Sequence, residues 1–150
     1  MKLKTEVIID ADPATVWRYF DDPDKLSQWQ AGLKSVTHQS GTRGQPDSVS
    51  VFVYENNGRE RTVTETITAR REPDFLAGTR QSEDSNAVVV NHFEETEDGR
   101  TRWLCYRNHM FKGVARFTTL FTHGAIRRRA EEDMNRFKLL VETGEARSQT

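Results

Sequence analysis

A single cysteine, Cys105, stands among 150 residues. One thiol cannot close an intrachain disulfide, so a disulfide framework is excluded and a reducing compartment fits. No apolar run approaches membrane-spanning length, and the opening MKLKTEVIID lacks the apolar core of a signal peptide. These absences lead to the expectation of a cytoplasmic protein with no integral membrane association. Nor is either charge in excess: 22 Lys and Arg face 23 Asp and Glu, for a formal net charge of −1. That balance offers no general electrostatic case for nucleic acid, and none is expected as a partner.

Catalytic and metal-binding signatures are missing too. His38, His92, His109 and His123 are far apart, with no His-x-x-x-His or Cys-x-x-Cys spacing, so no metal is expected. Neither a Gly-x-Ser-x-Gly elbow, a P-loop nor a dinucleotide fingerprint occurs, and no cofactor is expected. No internal repeat, low-complexity tract or linker interrupts the chain. Its length is that of one domain with a substantial core, expected over residues 1–145, with a disordered polar tail over 146–150.

What is present is strand alternation. Leu3 to Ile9 is rich in β-branched residues and ends at Asp10-Ala-Asp-Pro, where Asp12 can cap a helix and Pro13 suits its first turn. Val16, Trp17 and Phe20 give that helix an apolar face. Asp22 and Pro23 repeat the start signal ahead of Leu26 and Trp29. Strands then follow over Leu33–Ser40, Val49–Tyr54, Glu60–Arg70, Phe75–Ser82, Ala87–Glu94 and Arg102–His109, with Asn57-Gly58 and Asp98-Gly99 as turns. Short connections between neighbours predict an antiparallel meander.

The last long stretch, from about Gly113 to Glu142, has no proline and reads as a helix of about 26 residues, roughly 40 Å long. Ile126, Ala130, Met134, Phe137 and Val141 form one apolar face, and Phe117, Leu120, Phe121 and Gly124 cluster on another side. In a straight helix with its second half on the sheet, Thr119 and His123 face inward. Phe117 and Phe121 then sit outside as a homodimer contact or a lip at an entrance. A kink near Gly124 is the alternative. Arg127, Arg128 and Arg129 each precede an acid by four positions, so this block reads as a self-neutralising solvated face.

The element order is strand, two short helices, about six strands and one long helix: an α+β grip of a curved antiparallel sheet around the final helix. Three segments carry a family resemblance: VIIDADPATVWRYFDDPDKLSQWQAGL, then Phe111-Lys112-Gly113, then RRRAEEDMNRFKLLVE. With the strands between them, the chain resembles the helix-grip superfamily of START and polyketide cyclase/dehydrase domains (SRPBCC), which includes the birch pollen allergen fold. The resemblance implies about seven strands and a deep cavity between sheet and helix for a small, mainly hydrophobic or aromatic molecule. It supplies no catalytic motif.

Candidate contacts are Trp17, Glu65, Trp103, Arg107, Phe117, Leu120 and His123. Glu65 shares strand parity with Val63 and Ile67; if that face is inward, an unpartnered carboxylate would be pushed toward its neutral acid form. The opposite parity would leave it beside a surface arginine. Arg107 and His109 share parity with Trp103 and Cys105, and Arg107 is a candidate partner for Glu65 or for an anionic ligand head. The leading expectation is ligand binding or transport without catalysis. A cyclase or dehydratase using Glu65, Arg107 or His109 is one alternative. A chaperone-activator-like interaction module is another, marked by exposed aromatics. Cys105 reads as a small strand packing residue.

Overall fold

The computed structural model describes residues 1–148; within the last helix, the side chains of residues 119–122 lie outside the description. Strand β1 (Lys2–Ile9) leads into α1 (Pro13–Phe20), whose first turn is capped by Asp12 Oδ1 accepting from Thr15 N at 2.8 Å. That bond, made by the charged carboxylate, holds the Asp12 pKa below its ordinary value. Asp22 caps a 3-10 turn at Pro23–Lys25 in the same way, and α2 (Leu26–Trp29) follows directly. Two proline-started helical pieces therefore separate the first two strands, as their cap residues predict.

Six strands come next: β2 (Leu33–Ser40), β3 (Val49–Asn56), β4 (Arg59–Arg71), β5 (Phe75–Gln81), β6 (Ser85–Glu95) and β7 (Thr101–Phe111). They pair antiparallel in the order β1-β7-β6-β5-β4-β3-β2. The meander is thus complete from β2 to β7, and β1 crosses over to pair with β7. Asn57 and Gly58 form the two-residue β3–β4 loop with φ of 53° and 77°, the double positive φ of a type I′ turn. Register breaks between Ile67 and Ala69, opposite Gly78. A Cβ on Gly78 would lie 2.7 Å from Thr66 O, so glycine lets the bulged strand approach and the sheet bend there.

The sheet curves around α3 (Ala115–Ser148), an uninterrupted helix of 34 residues, about 51 Å long. It passes through Gly124 without a break and outruns the 26 residues expected, so residues 146–148, assigned by sequence to a disordered tail, are helical. Of the apolar face that the spacing predicts, Ala130, Met134, Phe137 and Val141 are buried and Ile126 is half-buried. Phe137 is fully buried, with ring centroids 5.1 Å from Trp103 and 5.2 Å from Trp29. Trp17, Phe20 and Phe93 extend this aromatic core. Fully burying one such side chain stabilises the fold by about 1.5–3 kcal/mol.

Polar clamps set the helix in place. Lys138 Nζ donates to Ile8 O at 2.6 Å and to Glu142 at 2.7 Å, and Glu142 accepts from Asp10 N at 2.8 Å. On the other side Arg136 Nε donates to Trp29 O at 3.2 Å, and Asp133 accepts from Ala31 N at 3.2 Å. By contrast, none of the described residues from Ala115 to Arg129 is buried. The second half of α3 does the gripping.

Candidate functional site

On β7, Trp103 and Cys105 belong to the core beneath α3, so strand alternation puts Arg107 and His109 on the same concave face, further along. Arg127 reaches Lys4 O at 3.1 Å and Lys138 reaches Ile8 O, so α3 runs alongside β1 in the same direction. Lys2 and Leu3 pair with Asn108 and Arg107. About two residues of strand cover the rise of one helical turn. The turn preceding Arg127, which contains His123, is therefore level with Arg107 and His109.

Register brings a second set of polar groups into this face. Ser50, Glu65, Arg80, Ala87 and His109 are successive cross-strand partners. Arg80 Nη1 donates to Glu65 Oε2 at 2.5 Å and Nη2 donates to the Tyr54 hydroxyl, which in turn donates to Gln30 Oε1 at 2.6 Å. The Arg80 guanidinium lies over the Phe52 ring, 4.6 Å from its centroid. The Arg80 and Glu65 side chains are 19% and 26% exposed, so this pair is largely screened from water. Burial opposes the charge on Arg80, yet Tyr54 and Glu65 outweigh it and raise its pKa. Burial also raises the Tyr54 pKa against the pull of Arg80, which keeps the phenol protonated and able to donate.

His109 lies in a different field. Burial, followed by the positive charges of Arg107, Arg61, the N-terminal ammonium and Arg80, pushes its pKa down from 6.5 to about 4. The imidazole is therefore neutral at pH 7. Its ring stacks on Phe111 with centroids 5.7 Å apart. Both of its ring nitrogens, and Nε of Arg107, are buried without a hydrogen-bond partner among the described residues. A neutral imidazole offers one donor and one acceptor, and a guanidinium offers only donors.

The residues expected from sequence divide. Glu65 is on the concave face, but its partner is Arg80 rather than Arg107, so it is an ion-paired carboxylate and not an unpartnered one. Arg107 and His109 are half-buried on that face, and His123 is half-buried on α3. Trp17 and Trp103 are only 2% and 1% exposed, which makes them core residues rather than an open lining. Trp103 Nε1 donates to Asn91 Oδ1 at 3.0 Å, and Trp17 packs edge-on to Phe93. Phe117 is 75% exposed, on the outside as a straight helix requires. The side chains of Thr119, Leu120 and Phe121 fall outside the described residues. Cys105 is fully buried in the core, a packing residue. Tyr54 and Arg80 escaped the sequence reading. Hairpin register carried back unbroken from the β4–β5 turn sets Gln81 opposite Glu65; the bulge between Ile67 and Ala69 shifts the pairing by one residue and brings Arg80 there.

Two surface hollows are open to solvent elsewhere. One of about 510 Å³ lies along α1 and the 3-10 turn, between Trp17, Tyr19, Asp21, Lys25 and Glu72. The other, about 330 Å³, is on the convex side among Lys2, Lys4, Val88, Val90 and Tyr106. Neither is the cavity between sheet and helix that the resemblance implies.

A curved seven-stranded antiparallel sheet closed on a C-terminal helix, with short helices after the first strand, defines a helix-grip protein. Consistent with this, the sequence profile of the polyketide cyclase / dehydrase and lipid transport family matches residues 1–142. The chain belongs to that family. Among solved structures it is similar to the Zhui aromatase/cyclase from Streptomyces sp. R1128, with a TM-score of 0.81 at 12% identity over 95% of this chain and 93% of that one. The protein TTHA0849 from Thermus thermophilus superposes with a TM-score of 0.80 at 14% identity, covering 96% and 99% of the two chains. Ara h 8.0201 gives 0.78 at 16% identity over 95% and 98%. At these identities the likeness is one of fold. No curated protein sequence matches the chain.

Proposed function

We propose that this protein binds a small, mainly hydrophobic molecule on its concave face, beneath the first half of α3. One observation carries the reading: a half-buried set of polar groups, Tyr54, Glu65, Arg80, Arg107 and His109, on a wall otherwise built of Phe52, Val63, Ile67 and Val89. A few convergent polar groups on an apolar wall is the usual makeup of a small-molecule site. Membership of a family described by cyclase, dehydrase and lipid-transport activities agrees with it. A cytoplasmic setting belongs to the same proposal and suits the buried thiol of Cys105.

Thermal-shift titration with fatty acids and polyketide-like aromatic compounds tests this. A ligand at 100 times its Kd adds about 2.7 kcal/mol, which for a domain of this size raises Tm by roughly 5–10 °C. Absence of stabilisation by every compound overturns the proposal.

A second reading, cyclase- or dehydratase-like catalysis, draws on the neutral imidazole of His109, which can take a proton at pH 7 where an imidazolium cannot. Glu65, engaged by Arg80, is the weaker acid–base candidate of the two. Turnover of a poly-β-carbonyl substrate that survives His109→Phe unchanged would remove His109 from any such reaction.

A further inference from the structure

We propose that the ligand of the concave face carries an anionic oxygen head, a carboxylate or an acidic enol, which is held between Arg107 and His109. This rests on the binding reading above and names the chemistry that the site selects. Glu65 is the acid in the cross-strand row that contains His109, and it is committed to Arg80 at 2.5 Å. Arg61, whose charge also reaches His109, is engaged by Asp84 at 3.5 Å and by Ser82 and Ser85. Arg107 has no ion pair among the described residues, although its Nε is buried.

A guanidinium in that position keeps its charge, because arginine does not deprotonate in proteins. The site therefore holds an uncompensated cation beside an imidazole whose two nitrogens also lack partners. A ligand oxyanion meets the donors of both residues: it accepts from the Arg107 guanidinium and from the single N–H of neutral His109. Charge-assisted bonds of this kind are the stronger class. Arg107 and His109 are two residues apart on one strand face, about 6–7 Å, a span that the two oxygens of one head group can bridge. Ala87, the cross-strand neighbour between Arg80 and His109, leaves space on that wall.

The groups acting on His109 are Arg107 on its own strand, Arg61 on β4, Arg80 on β5 and the N-terminal ammonium at the start of β1, all positive. His123, on α3 at the same level, is the further titratable group on the covering element. An anion seated among these charges cancels part of the repulsion, so His109 gains proton affinity when ligand binds. Burial, the larger cause of the depression, remains, so binding takes up part of a proton just above pH 4, where a head group that is still ionised gains affinity as the pH falls.

The test uses matched pairs: dodecanoate against dodecanamide and 2-naphthoate against 2-naphthamide, titrated by calorimetry at pH 5 in buffers of different ionisation enthalpy. Expected is a preference of about tenfold or more for the acids, as one charge-assisted bond provides. It should be lost in Arg107→Met and retained in part by Arg107→Lys, with unfolding midpoints confirming that both variants fold. Proton uptake should accompany acid binding in the wild type and in His123→Gln, and vanish in His109→Phe. Equal binding of acid and amide overturns the anionic head and leaves the binding proposal standing. Absence of binding by all four overturns both.

Discussion

Replacing Glu65 by Gln asks whether the carboxylate on the concave face is a free acid or half of a locked pair. Glu65 and Arg80 are bonded at 2.5 Å, with side chains 26% and 19% exposed. A fully solvated pair is worth about 0–1 kcal/mol, and breaking a fully buried one costs about 3–5 kcal/mol. With roughly a fifth to a quarter of each side chain exposed, Glu65→Gln should cost about 2 kcal/mol. It leaves the Arg80 charge against Phe52 and Tyr54 with a neutral acceptor only. For a domain of this size that lowers Tm by about 4–8 °C. Arg80→Met should cost more, since it also removes the donor to Tyr54 and the stacking on Phe52. Urea unfolding of wild type, both single variants and the double variant closes a thermodynamic cycle. A coupling of about 1–3 kcal/mol is expected, the double variant being less damaged than the two single costs together imply. Additivity to within about 0.5 kcal/mol would refute the claim that Arg80 holds Glu65.

Three other perturbations probe the scaffold. Phe137→Ala empties the fully buried centre of the aromatic core and should cost about 3–5 kcal/mol by denaturant unfolding; a loss under about 1 kcal/mol would contradict the packing. Phe117→Ser, at a site 75% exposed, should leave stability within about 0.5 kcal/mol; a larger loss in the isolated protein would mean that Phe117 is covered in solution. The third concerns pH. The folded-state pKa of His109 is depressed from 6.5 to about 4, so the unfolded chain binds more protons between those values, and stability falls as the pH drops through that window. His109→Phe should flatten that slope. Glu142 is also depressed: burial works against its charge, but Lys138 and the Asp10 N–H outweigh it. Its contribution is present above the ordinary carboxylate pKa near 4.5 and is lost only at lower pH, so Glu142→Gln should act on the more acid limb. Interchanged windows in the two variants' pH–stability curves would sink both assignments.

The strands, the two proline-started helices and the long final helix were legible in the chain because their signals are local. A cap residue bonds a backbone N–H three positions away, as Asp12 does Thr15, and apolar residues three and four apart share a helix face wherever the helix goes. Parity likewise put Glu65 with Val63 and Arg107 with Trp103, because side chains alternate along any strand. Which face turned inward, and which residues met there, are not local matters. Arg80 reaches Glu65 through the register of β4 on β5, a relation between residues fifteen apart that the β4–β5 turn and the bulge opposite Gly78 determine. Trp17 and Trp103, equally plausible as cavity walls, became core because Phe137 and Phe93 packed against them. The helix that closes the fold followed the same division. Its apolar spacing named Ala130, Met134, Phe137 and Val141 in advance. Only the seating of that half on β1 and β7 left Phe117 outside and set the turn of His123 level with Arg107 and His109.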